Sequence, residues 1–294
     1  MTATFLPAGI ITEHPEMAVR STRGRGYQWP PFDQYPTDFF RGASSIGKVI
    51  DKPGLMHWRS NLTAEAAADR RDKLTVLNKR EAIKLIKGAA KDAADLAPAR
   101  GSTVHDYAAN QLAAVAGLPY RAVDVGTDLD TYAANVTDWI DSHVVEVCAI
   151  ERTLYVPRLK IAGTVDAIVR TSAGVFGVDW KTKYGKGVHQ VSPYLEHAMQ
   201  AWALAAATHI AIPEQQQLHD LPPLDGFLVV YIASDGHVTY PVDVTSQALG
   251  DLCTHAVAIL DRIDACGTAV FGPVTRHLTH STSAPAQVAP PVTA

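Results

Sequence analysis

Apolar residues along the chain follow two different rhythms. From about residue 144 to 182, and again from 224 to 244, they form short runs rich in Val and Ile, bounded by Gly, Ser and Asp. Runs of that kind read as strands. Val144 to Val156 is the first. Ile161 to Arg170 and Val175 to Trp180 form a hairpin around Thr171-Ser172-Ala173-Gly174, with Gly174 as the left-handed position. Leu224 to Ala233 and Gly236 to Val244 form a second hairpin at an Asp-Gly turn. Elsewhere the apolar spacing is helical. Thr63 is expected to cap a helical stretch that reaches Ala97, in two pieces meeting near Thr75 to Asn78. Pro98 and Arg100-Gly101 are expected to end it. Ser102 or Thr103 then starts a helix closed by Gly117. Further helices are expected over 127–144, over 194–212, and from Thr245 or Ser246 to about Ala265.

The remainder reads as connection. Residues 1–42 mix Pro, Gly and aromatics without a period, which suggests an irregular arm packed through Trp29, Phe32, Tyr35, Phe39 and Phe40. Those rings cover a core or, alternatively, stack on bases. Residues 44–58 suggest a short helix, a Pro-Gly break and a new helix start. The tail from Thr275, rich in Ser, Thr, Pro and Ala, is expected to be disordered. The order is helices first, then three strands, a helix, two strands and a helix. It predicts an α/β (α+β) fold with a central mixed sheet flanked by helices. The division expected is an N-terminal arm and basic helical region over 1–100, a core over 101–270, and a tail over 271–294.

Charge inside the first hairpin changes the picture. Asp166 interrupts one strand, and Asp179 and Lys181 end the other. Residues two apart on a strand share a face, so Asp179 and Lys181 point one way and Trp180 the other. The four-residue turn places Asp166 opposite Asp179. Facing carboxylates on buried strands repel, and a divalent cation is the usual compensation.

Composition narrows the partners. The 294 residues are 47% hydrophobic, enough for a sizeable core. The net charge of −4 excludes a globally cationic nucleic-acid binder, but not a local basic strip. Arg80, Lys84, Lys87 and Lys91 form such a strip on one helix face. It is either a solvated face or a phosphate contact. Cys148, Cys253 and Cys266 lie far apart, which argues against a disulfide framework, zinc ribbon or iron–sulfur set and fits a reducing compartment. No signal peptide and no membrane span are expected. The chain also lacks a glycine-rich phosphate loop.

Gly163-Thr-Val-Asp166, then Val178-Asp179-Trp180-Lys181-Thr-Lys183, then a helix bearing Gln200, resembles the PD-(D/E)XK nuclease superfamily. GSTVHDYA around His105 is similar to its RecB-like and phage exonuclease branch, and residues 36–60 carry a fainter likeness. The likeness covers about residues 100–210. It implies a restriction-endonuclease-like core and a Mg²⁺- or Mn²⁺-dependent DNA nuclease. An exonuclease of recombination, repair or phage DNA metabolism leads. A site-specific or structure-specific endonuclease and a catalytically inactive DNA-binding module are the alternatives.

By that resemblance, His105, Asp166, Asp179 and the Trp180 carbonyl would hold metal. Lys181 would orient or deprotonate the attacking water, and Gln200 would position the lysine, the water or a phosphate. Glu151 would play a supporting part or serve as a ligand. Lys183 would join the basic strip on DNA. The resemblance also allows a recombination or single-strand-binding partner, and implies a bacterial or phage-infected host cytosol. In one respect the chain departs from the pattern: Leu204 stands where a Tyr commonly follows the Gln, and Trp202 is the aromatic nearby. The cluster-binding cysteines of CRISPR-associated relatives are absent, so no iron–sulfur cluster is expected.

Overall fold

Eleven-residue strands lie at the centre of the molecule. The computed structural model describes residues 17–21, 24–34 and 36–266. Tyr35 and the tail from 271 lie outside them. The strands are β1 (Ala18–Ser21), β2 (Gly24–Trp29), β3 (Asp38–Gly42), β4 (Glu146–Val156), β5 (Ile161–Thr171), β6 (Gly174–Thr182), β7 (His209–Ile212), β8 (Gln217–Asp220), β9 (Gly226–Ala233) and β10 (Gly236–Val242). The helices are α1 (Pro53–Ala68), α2 (Arg71–Leu74), α3 (Lys79–Val115), α4 (Asp130–His143), α5 (Leu195–Ala205) and α6 (Gln247–Cys266), and a 3-10 turn spans Ala43–Val49. The fold is mixed α/β, with parallel and antiparallel strands in one sheet.

β5 organises that sheet. Its one edge pairs with β4 along nearly the whole strand, from Ile161↔Val156 to Arg170↔Glu146. Its other edge is shared. β3 takes the start in parallel, at Arg41↔Ile161 and Gly42↔Ala162. β6 takes the end antiparallel, from Ala167↔Val178 to Thr171↔Gly174. Gly163 to Asp166 are left without a strand partner on that edge. Beyond Val178, β6 continues in parallel with β9, through Asp179↔Val229 to Thr182↔Ile232. The sheet therefore forks beside Asp166.

Apolar layers cover both faces. Val104, Leu112, Val136, Trp139 and Ile140 of α3 and α4 pack on Ala167, Val169, Val178 and Trp180. Met199, Leu204, Cys253 and Ala256 of α5 and α6, with Ile46, pack on Ile161, Val165, Ile168 and Phe227. A Cβ on Gly163 would stand 3.0 Å from the Ala43 Cβ and 3.1 Å from Leu204 Cδ2, so the glycine lets the 3-10 turn and α5 close over β5. Gly174 has φ +143°, the left-handed position expected of the hairpin turn. Among the described residues, no helix is long and apolar enough to cross a membrane.

Several elements depart from the sequence reading. Residues 18–21, 24–29 and 38–42 form strands within the stretch expected to be an irregular arm: β2 pairs with β3, and Trp29 stacks on Phe40 at 5.1 Å beside Tyr155. The helix expected over 194–212 stops at Ala205, and Ile210 instead pairs with Leu154 in the sheet. The β-branched His-Ile-Ala-Ile alternation outweighs the helix propensity of the preceding alanines. Thr63 caps nothing. It lies inside α1, where its hydroxyl donates to the Arg59 carbonyl. The helix break near Thr75–Asn78 is present, closed by a capping box between Asn78 and Glu81.

The largest departure is α3, which runs unbroken through Pro98 and Gly101 for 37 residues. A helix-interior proline forfeits one hydrogen bond to the fourth preceding carbonyl, here Ala94. Pro98 is exposed and Ala94 only half-buried, so this part of the helix is open to solvent. Pro98→Ala restores the bond and is expected to raise unfolding stability by about 1–3 kcal/mol in chemical denaturation. A loss of stability would contradict a continuous helix there.

Candidate metal centre

His105 hangs from α3 toward the fork in the sheet, and Gln200 reaches the same region from α5 on the other face. Between them, β4 and β5 share an irregularity. Ile150↔Ala167 and Arg152↔Val165 pair in register, but the intervening Glu151 and Asp166 do not. Glu151 has φ 48°, a left-handed conformation that is strained for a non-glycine residue. Strict alternation also fails there: Val165 packs with the α5 and α6 layer, yet Ala167 packs with α3 and α4. The result turns both carboxylates toward His105. Ligand atoms of His105, Glu151 and Asp166 lie within 4.8 Å of one another, close enough to share one cation.

Asp166 is the hub. Its Oδ2 accepts the Trp180 N–H at 2.7 Å and lies 3.3 Å from His105 Nδ1. The Trp180 amide is free for this because the β5–β6 ladder has ended at Val178. Lys183 N–H donates to the Ile232 carbonyl on β9. Backbone groups of the odd positions of β6 therefore face β9, and those of Trp180 face the fork. That orientation suits the expected carbonyl ligand. The Trp180 ring packs away from the site, 4.8 Å from Trp139.

Asp179 belongs to a second cluster. Only 5% exposed, it takes Gln200 Nε2 on Oδ1 at 3.3 Å. Lys181 Nζ stands 2.5 Å from its Oδ2. That contact is an ion pair outside hydrogen-bond geometry, and the buried Oδ2 has no hydrogen-bond partner. The β5–β6 ladder ends at Ala167↔Val178, one step short of the direct opposition expected for Asp166 and Asp179. The three converging donors include Glu151 and not Asp179. Glu151 lies within reach of a cation shared with His105 and Asp166, and Asp179 faces Lys181 and Gln200. The sequence carried no signal for the Glu151 backbone, whose left-handed twist aims the carboxylate.

Electrostatics follow from burial and contact. Burial disfavours the His105 imidazolium, but the Asp166 carboxylate outweighs it and holds His105 up to about 9. Burial, then the Asp166 charge, pushes Glu151 up to about 8. Asp166 stays below the usual carboxylate range: burial opposes this, and the His105 charge prevails. Burial raises Asp179 despite Lys181. Without a cation the centre keeps protons that a cation would displace. One nitrogen and several carboxylate oxygens form a hard donor set, and the Asp179 carboxylate, paired with Lys181, is a further acceptor nearby. These residues fit Mg²⁺ or Mn²⁺. Cys148, Cys253 and Cys266 are each free.

The remaining expected residues divide. Lys183 Nζ lies 3.8 Å over the Tyr194 ring, and burial lowers its pKa. Arg80, Lys84, Lys87 and Lys91 are exposed on α3, away from the centre, with Lys91 paired to Asp95. Leu204 lies in the core, and Trp202 packs against α6 beside Gly250, so neither replaces the missing tyrosine at the site. Lys52 and His197 escaped the sequence reading. Lys52 pairs with Glu196 at 3.3 Å, and His197 Nδ1 meets the Tyr231 hydroxyl at 2.7 Å.

No family model matches the chain, and no curated protein matches it. Among solved structures, one described as "Crystal structure of SSO0001" is similar over 38% of this chain and 51% of that one, at 20% identity and a TM-score of 0.20. The chain thus spans about half the length of that structure. A likeness that weak carries no argument about fold or function.

Burial holds His197 neutral, down to about 3, with Lys181, Lys183 and Lys52 adding to the effect. Unfolded histidine takes a proton below about pH 6.5. Because the folded state resists that proton, stability is full above pH 6.5 and falls as pH drops toward 3. His197→Asn, which keeps an acceptor near the Nδ1 position, is expected to flatten the fall between about pH 6.5 and 4 in urea titrations. An unchanged slope would show that His197 is not its source.

Proposed function

We propose that this chain is a divalent-metal-dependent DNA nuclease that hydrolyses phosphodiester bonds, with an exonuclease as the leading form. One observation carries the reading. A lysine ammonium, held 2.5 Å from a buried aspartate, stands one strand away from three convergent metal donors. Structural ion pairs do not require a histidine, a strained glutamate and a second aspartate beside them. The ordered residues His105, Asp166, Asp179, Lys181 and Gln200, read as a family likeness from the sequence, support the same conclusion.

A bound Mg²⁺ or Mn²⁺ would neutralise phosphate charge and make its water a better nucleophile. His105, Glu151 and Asp166 would hold it. Asp166 also fixes the Trp180 amide, which sets the direction of β6 and so the reach of Lys181. Asp179 orients Lys181, whose flexible stem lets the ammonium meet a phosphate oxygen or the attacking water. Gln200, tethered to Asp179, presents its remaining amide groups to the same space. Lys181 adds positive charge where the phosphate gains negative charge.

Lys181→Ala is expected to lower phosphodiester cleavage by about 10²–10³-fold while the far-ultraviolet circular dichroism stays unchanged. Full activity in the purified variant would sink the proposal. Digestion of a covalently closed circle separates the forms of the reading, since an exonuclease spares it and an endonuclease linearises it.

A further inference from the structure

α3 reaches the metal centre at His105 and extends far beyond it. Residues on an α-helix return to one face at intervals of four and seven. Counted outward from His105, positions 101, 98, 94, 91, 87, 84 and 80 all lie within about 60° of the His105 direction around the axis, a stripe about 100° wide. The outer four are Lys91, Lys87, Lys84 and Arg80, all exposed. The inner three are Gly101, Pro98 and Ala94, which carry neither charge nor length. This alignment exists only because α3 does not stop at Pro98.

Two glycines on this helix lack a reason within the fold. A Cβ on Gly101 would meet nothing within 4 Å, and nor would one on Gly88, which is flanked by Lys84, Lys87 and Lys91. A glycine inside a helix costs roughly 1 kcal/mol relative to alanine. Close approach of a ligand to the backbone is one use of glycine that would justify that cost.

Charge points to the ligand. Between Lys52 and Ala99, ten Lys and Arg stand against six Asp and Glu, a net of +4 in a chain whose total is −4. The rest of the molecule therefore carries −8 and repels a polyanion. The Lys91–Asp95 pair is exposed on both sides and offsets little of the strip's field.

We propose that this face of α3 is a track for a DNA duplex, which the four cations grip at a set distance from the phosphate at the metal centre. The inference rests on the nuclease reading for its inner end. Lys91 lies 14 residues from His105 and Arg80 lies 25, about 21 and 38 Å at 1.5 Å per residue. At about 3.4 Å per base pair, the grip falls about 6–11 base pairs from the cut. A duplex, with a persistence length of about 150 base pairs, holds its phosphates at that span without an ordering cost. A single strand does not.

The test measures fluorescence anisotropy of labelled duplexes from about 4 to about 20 base pairs, with full-length protein and EDTA, so that nothing is cut. Affinity is expected to climb between about 6 and 11 base pairs and then level off. Lys84→Glu with Lys87→Glu should weaken the longest duplex at least about tenfold, lower the salt slope by about 2, and leave the shortest unchanged. Gly88→Leu should keep or raise the thermal midpoint yet weaken the long duplex. Equal losses at all lengths, or none, would overturn the track. An identical step with single strands would overturn its duplex preference. A length step without cleavage after Mn²⁺ addition would retire the nuclease reading and leave the track standing.

Discussion

The Asp166 carboxylate is the contact on which the centre depends. One oxygen accepts the Trp180 amide at 2.7 Å and faces His105 at 3.3 Å. It thereby ties three elements that the backbone alone leaves apart: the end of the β5–β6 ladder, the core strand β5 and the long helix α3. A buried carboxylate that accepts a backbone N–H and faces a cation stays charged. The charge on Asp166 in turn raises His105 against its burial, and adds to the burial that raises Glu151. The centre is thus a set of groups mutually poised around one anion.

The fork in the sheet supplies the space. Strand edges are normally paired or protected, because unpaired N–H and C=O groups are costly inside a protein. Here Gly163 to Asp166 face no strand, and side chains occupy the opening from both layers. A groove of about 350 Å³ opens alongside, lined by Ser44, Lys48, Gly163, Thr164 and Gln200. The left-handed twist at Glu151 and the failure of alternation at Asp166 sit at the same level. Strain of this kind persists only where the surrounding structure over-determines it, and here two long strands in register on either side do so.

Much of this was legible from residue order. The hairpin turn and the shared face of Asp179 and Lys181 follow from strand alternation and loop length. Three things were not. Glu151 reaches the donor set through a left-handed backbone that no pattern announces. β2 and β3 are short strands of glycine, aromatic and polar residues, and Tyr27 and Phe40 dock them on Tyr155 and Ala162 through tertiary contacts. α3 continues through Pro98 because packing of Val104, Ala108 and Leu112 on the sheet, and of the outer half on α1, outweighs one missing hydrogen bond.

The central claim is that His105, Glu151 and Asp166 hold one divalent cation. Calorimetric titration of the intact chain with Mn²⁺ tests it most directly. Saturable uptake is expected in the wild type, weakened at least about tenfold by Glu151→Gln and by His105→Ala, and retained in Lys181→Ala. No uptake by the wild type would contradict the claim. So would unchanged binding in Glu151→Gln together with its loss in Asp179→Asn.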